Sequence, residues 1–150
     1  MRTIYTPLLA AGIALAAWAT PVGAALFSAT GSVIAIFNGE LYLGEAEGHL
    51  SGAGTLAIRS QKDPTVTCTG QFISSAKLGG EGQMQCTDGA TATFRFQRLS
   101  VFRGHGSGSS SRGSMSFAYG FTAEEAAPYL NLPPGKKLAR AGTELALVDQ

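Results

Sequence analysis

At 150 residues, with 11 basic and 10 acidic side chains and a formal net charge of +1, the chain has the length of one domain. This balance excludes a general nucleic-acid binder, which needs a basic surplus, and gives no strong long-range pull toward an anionic membrane. What remains is a chain rich in glycine, 20 residues in all, with two cysteines and two histidines.

The N-terminus reads as a leader. Arg2 is the only charge in the first 24 residues, an apolar run covers 8–18, and Val22 and Ala24 supply the small residues before a cut after Ala24. A positive start, a short apolar run and a small-x-small exit are the parts of a secretory signal peptide. The run is short of the roughly 20 apolar residues a membrane-spanning helix needs. Removal of 1–24 would leave a single Gly-rich β domain over 25–150, formally neutral, periplasmic or secreted, with no stable membrane span. No cysteine follows the cut to carry a lipid anchor.

Next, Val33-Ile34-Ala35-Ile36-Phe37 is apolar and β-branched, and Asn38-Gly39 follows it before Glu40-Leu41-Tyr42-Leu43. Asn-Gly accepts positive φ at both positions of a two-residue turn, so this stretch predicts a hairpin. A pattern of apolar residue, x, Gly, x, Gly then recurs at Leu50, Leu78 and Phe102. Alternating stretches over 65–73, 90–96 and 114–119 supply the partners, giving three successive hairpins in a meander, an internal repeat. Leu50, Gly52, Gly54, Leu56 and Ile58 share one face by parity, as do Leu78, Gly80, Gly82, Met84 and Cys86. Glycines on an apolar face leave room for large neighbours, and Phe72, Phe94, Phe96, Phe117 and Tyr119 are the candidates to lie over them. Cys68 and Cys86 are equidistant from Lys77, so a hairpin turning there sets them opposite each other, close enough for a disulfide. Thr87-Asp88-Gly89 supplies the next turn.

Farther on, the low-complexity stretch over 107–114 is expected as a loop. Thr122 followed by Glu124 and Glu125 suits a helix start, and Pro128, Pro133 and Pro134 keep that helix short. Tyr129, Leu130 and Leu132 would cover one open end of the sheet, and the segments around 138–140 and 144–148 would return to it as a last strand. The expected fold is therefore all-β: a twisted antiparallel meander of about seven to nine strands, able to curl into an open barrel, with one short C-terminal helix.

The hairpins, with Gly82-Gln83-Met84-Gln85-Cys86-Thr87-Asp88-Gly89 as the best copy, resemble MORN-type repeats over about 50–119. The resemblance implies short hairpins stacked into a curved sheet that contacts proteins or lipids. The chain also resembles small exported bacterial β proteins. Neither likeness implies catalytic residues.

Candidate chemistry is sparse. His49 and His105 are too few for a transition-metal site once both cysteines are bridged, even with Glu45 and Glu47 near His49. Ser107, His105 and Asp88 assemble a triad only on paper, with no nucleophile elbow, and Glu45 and Glu47 share a strand face as solvated charges do. The glycines of Arg103-Gly104-His105-Gly106-Ser107-Gly108 lack the helix and the lysine of a phosphate loop. No catalytic residue, metal or cofactor is expected. No acid occurs between Asp88 and Glu124, however, whereas Arg95, Arg98, Arg103 and Arg112 all do. With His105 they are candidates for an anion-binding patch, since the guanidinium fork suits carboxylates and phosphates. The leading expectation is a non-enzymatic binding or structural module of the cell envelope, whose partner is an envelope protein or an anionic envelope component. The alternative is a binder of a small apolar ligand or lipid in a half-open barrel, with a cavity between the Gly-x-Gly face and Phe72, Phe94 and Phe117. A hydrolase using His105 stands third.

Overall fold

The computed structural model describes residues 28–75 and 79–150. The expected leader over 1–24 lies outside these residues, as does the turn expected near Lys77.

Eight antiparallel strands run in sequence order around a closed barrel: β1 (Ser28–Phe37), β2 (Glu40–His49), β3 (Ala53–Ser60), β4 (Thr67–Ser75), β5 (Gly79–Cys86), β6 (Thr91–Arg98), β7 (Gly104–Ser110) and β8 (Gly113–Tyr119). The Asn38-Gly39 turn forms as its chemistry demands, with φ of 54° and 79°, and joins β1 to β2. Closure comes from Val33–Phe37, which pair with β8 as well as with β2. The N-terminal half of β1 pairs with β2 alone among the described residues. Closed rather than open, the barrel removes the exposed edges a meander would otherwise carry.

Parity sorts the side chains. Val33, Ala35, Phe37, Tyr42, Leu56, Ile58, Cys68, Met84, Cys86, Phe94, Phe96, Met115 and Phe117 form the interior core. Thr55, Gln71, Gln83, Thr93 and Ser109, one per strand from β3 to β7, lie in register between the inward positions and so face outward. Apolar inside and polar outside is the reverse of a barrel that spans a bilayer.

Glycine makes this interior possible. Phe72 pairs with Gly54 and Gly82, Phe94 with Gly82 and Gly108, and Phe96 with Gly80 and Gly106. Each inward ring thus has a bare backbone on both flanking strands. A Cβ on Gly106 would run into the Phe117 ring, the Phe96 Cβ and the Arg95 carbonyl. The rings meet edge to face, Phe94 with Phe117 at 5.4 Å and Phe72 with Phe96 at 5.5 Å between centroids.

Two expectations are corrected. The low-complexity stretch over 107–114 is not a loop: it is the end of β7, a turn at Ser111-Arg112 and the start of β8. Its composition follows from the alternation, since Gly106 and Gly108 face the interior rings while Ser107 and Ser109 face out. Second, the C-terminal segments do not join the sheet. They make their own two-stranded hairpin, β9 (Lys136–Ala141) and β10 (Glu144–Asp149). With β8 already bonded to Val33–Phe37 of β1, the barrel wall beside the cap has no edge to offer them.

Instead the C-terminal part caps a wall from outside. Helix α1 (Ala123–Ala126) and the 3₁₀ turn Ala127–Tyr129 bring Ala123, Ala126 and Leu130 onto the outward side chains Ile34, Ile36, Leu41 and Ala118, with Leu132, Leu138, Leu145 and Leu147 packed around them. The leucines expected over an open end cover this wall, because β1 and β2 are apolar on both faces. Thr122 caps the helix through a capping box: its N–H donates to Glu125 Oε2 at 3.0 Å and its hydroxyl accepts from the Glu125 N–H at 3.3 Å. That backbone N–H, with Arg103 nearby, holds the Glu125 carboxyl below its usual range. A lowered folded value means the contribution is complete above the unfolded value and is lost as pH falls through the folded one. The protection of the Ala126 and Leu130 amides, taken relative to the intrinsic exchange rate at each pH, should therefore fall in acid before that of the barrel strands. A Glu125→Gln variant should flatten the response, and an unchanged acid profile in that variant would assign the effect elsewhere.

Candidate functional site

The two ends of the barrel differ. At one end Phe37, Tyr42, Ile58 and the Cys68–Cys86 disulfide fill the interior, with the two cysteines directly opposite each other in the β4–β5 register as expected. The turns there are tied: Ser110 Oγ donates to Asn38 Oδ1 at 2.5 Å, and Arg112 grips Asp88 through Oδ2 and the backbone carbonyl, both at 2.9 Å. Burial pushes the Tyr42 phenol up and keeps it neutral.

Among the described residues the opposite end is open. A cavity of about 490 Å³ enters the barrel there, floored by Leu56, Phe94, Met115 and Phe117 and walled by Phe72, Phe96 and Tyr119. This volume falls within the range of small-molecule sites, which are concave and mostly apolar with a few polar groups. Small residues create the space: Ala46 and Gly48 on β2 and Gly31 on β1 reach in where the facing strands send rings. A Cβ on Gly48 would meet only the far edge of the Phe72 ring, at 3.9 Å. The space beside β2 is therefore empty, unlike the filled space around Gly106.

Among the described residues, Arg98 and His49 are the basic side chains at the mouth, and no acid lines it. Arg98 has the inward parity of Phe94 and Phe96 and sits one step nearer the rim. Its Nη1 lies 3.4 Å from the Ser75 carbonyl, and among the described residues it forms no ion pair. Burial raises the pKa of the adjacent Tyr119 phenol, and the positive charge of Arg98 opposes this.

The other members of the expected anion patch are scattered. Arg95 points outward from mid-β6, 3.9 Å from Glu81. Arg103 lies 3.5 Å from Glu125 and over the Phe121 ring at 5.3 Å. His105 stacks on Tyr129 at 4.2 Å, and Tyr129 stacks on Phe121 at 5.4 Å. Arg103 and His105 thus clamp the C-terminal cap to the barrel. Arg112 is at the closed end with Asp88. Arg98 alone of the five enters a cavity, and these side chains form no common surface.

Nor do the remaining candidates converge. His49 sits at the open rim and His105 under Tyr129, and among the described residues no three His, Cys, Asp or Glu side chains gather as metal ligands. Parity of the glycines and rings was the signal for the cavity walls. The small residues Gly31, Ala46 and Gly48, which leave the space unfilled, were not marked out by it. No known protein family, no curated protein and no solved structure matches this chain.

Proposed function

We propose that the protein is a non-enzymatic binder of a small amphiphile, whose apolar part enters the open end of the barrel and whose acidic head rests at Arg98. The observation that carries this reading is the cavity of about 490 Å³ lined by Phe72, Phe94, Phe96 and Phe117, with the Arg98 guanidinium at its mouth, hydrogen-bonded to the Ser75 carbonyl and in no ion pair among the described residues. An apolar cavity gains free energy by burying a chain, at about 25 cal/mol per Å² of apolar surface. A planar cation at the rim favours a carboxylate or phosphate over a neutral head. The Cys68–Cys86 bridge supports an oxidising compartment, periplasmic or extracellular. Such a compartment suits a carrier or scavenger of envelope amphiphiles.

The test is a titration with a fluorescent long-chain carboxylate. Saturable binding at one site is expected, competed by a non-fluorescent fatty acid. Gly48→Leu, whose Cβ would stand in ordinary contact with the edge of the Phe72 ring, fills the empty space and should abolish binding while leaving the circular dichroism unchanged. Arg98→Gln should weaken the carboxylate about tenfold, the scale of one lost charge-assisted hydrogen bond, and leave the alcohol of equal chain length unaffected. Full binding by Gly48→Leu would sink the reading.

A further inference from the structure

The large apolar side chains exposed on this barrel are unevenly placed. Leu50 is 81% exposed in the β2–β3 loop, and Leu99, Val101 and Phe102 are 56%, 60% and 62% exposed in the β6–β7 loop. Both loops stand at the open end. Leu50, Val101 and Phe102 also line the cavity, so its apolar lining runs out over the rim without a break. The closed end carries ion-paired and hydrogen-bonded turns instead.

The loops are built to hold these side chains out. In β2–β3 the Gly52 N–H donates to the His49 carbonyl at 2.9 Å, and the Gly52 carbonyl accepts from the Ser74 N–H at 2.7 Å, fixing the base of the loop below Leu50. In β6–β7 the N–H groups of Leu99 and Ser100 both donate to the Arg103 carbonyl, at 2.9 and 3.1 Å, and the Phe102 N–H donates to Ser100 Oγ at 3.2 Å. Neither loop contains an acid, and His49, Arg98 and Arg103 stand at the loop bases. Apolar tips ahead of basic residues are the arrangement of a surface that enters the boundary between lipid headgroups and acyl chains.

We infer that the open end docks on a lipid surface, with Leu50, Val101 and Phe102 inserted and Arg98 at headgroup level. This inference rests on the cavity reading, and it says where the amphiphile comes from: the mouth faces the bilayer, and the ligand passes between membrane and barrel without crossing water. Separate tips on either side of a mouth suit a fluid surface that closes around each of them. The near-neutral net charge is consistent with this, because the tips supply the attraction and the basic residues add to it only at contact.

The test uses sedimentation with vesicles of phosphatidylcholine and phosphatidylglycerol in equal parts. The native protein should pellet with them. A Leu50→Ser/Phe102→Ser variant should bind about tenfold more weakly per side chain removed, as the loss of a buried apolar side chain predicts. The same variant should keep the native circular dichroism spectrum, which shows that it is folded. Native protein left in the supernatant overturns the docking, as does a double variant that pellets like the native protein. The probe titration without vesicles reports separately on the cavity: a protein that takes the probe but ignores the vesicles loses the docking and keeps the binding function.

Discussion

Replacing Phe94 by alanine should destabilise the barrel by about 3–5 kcal/mol, the range for a large aromatic removed from a core. Phe94 is buried on β6, its ring lies over the Gly82 backbone and edge-on to Phe117, and its backbone pairs with Gly82 and Gly108. Glycines have no side chain to move into the space left behind. The new hole also opens into the existing cavity, so collapse would have to draw in strand backbone. Urea unfolding followed by far-ultraviolet circular dichroism is the measurement, since the only tryptophan, Trp18, lies in the expected leader. Thr93→Ala, on the outward neighbour, should stay within about 0.5 kcal/mol. Equal effects of the two variants would mean that the ring is not part of a packed core.

Breaking the Cys68–Cys86 bridge should cost about 3 kcal/mol, as expected for a crosslink between residues 18 apart in sequence. The bridge ties β4 to β5 at the plugged end, inside the wall, where reduction would leave two thiols among Ile58, Met84 and Ala90. Dithiothreitol should lower the urea midpoint of the native protein to that of a Cys68→Ala/Cys86→Ala variant and leave the variant's midpoint where it is. No change in the native midpoint on full reduction would show that the barrel is held by its core alone.

Much of the architecture was legible in the residues. Asn38-Gly39 specified its turn, because few dipeptides accept positive φ twice. The spacing of Cys68 and Cys86 about Lys77 gave the β4–β5 register, because a hairpin fixes pairing by symmetry about its turn. Parity put the glycines opposite the phenylalanines. Closure was harder to read, since whether a meander joins its first strand to its last depends on accumulated twist and stagger, which no local window encodes. The C-terminal leucines were misplaced for a related reason. Ile34, Ile36 and Leu41 are apolar on the face opposite the core, and this signal of a second covered surface was hidden in a run that reads simply as hydrophobic. The arginines looked like a group because they are adjacent in sequence, but the strands carry them to different ends and opposite faces.

The half-paired first strand bears on how the barrel assembles. Every strand pairing but one joins neighbours in the chain, and such contacts form quickly because their loops are short. The exception is the seam between β1 and β8, which links Val33–Phe37 to Met115–Tyr119 across most of the described chain. The meander can thus zip hairpin by hairpin, and the seam closes only after the intervening strands have curled far enough to bring its two sides together. Once shut, it spans five residue pairs against ten between β1 and β2. It is also the stretch of wall over which the C-terminal cap is laid, so a segment that follows the whole barrel in sequence fastens the join that forms last.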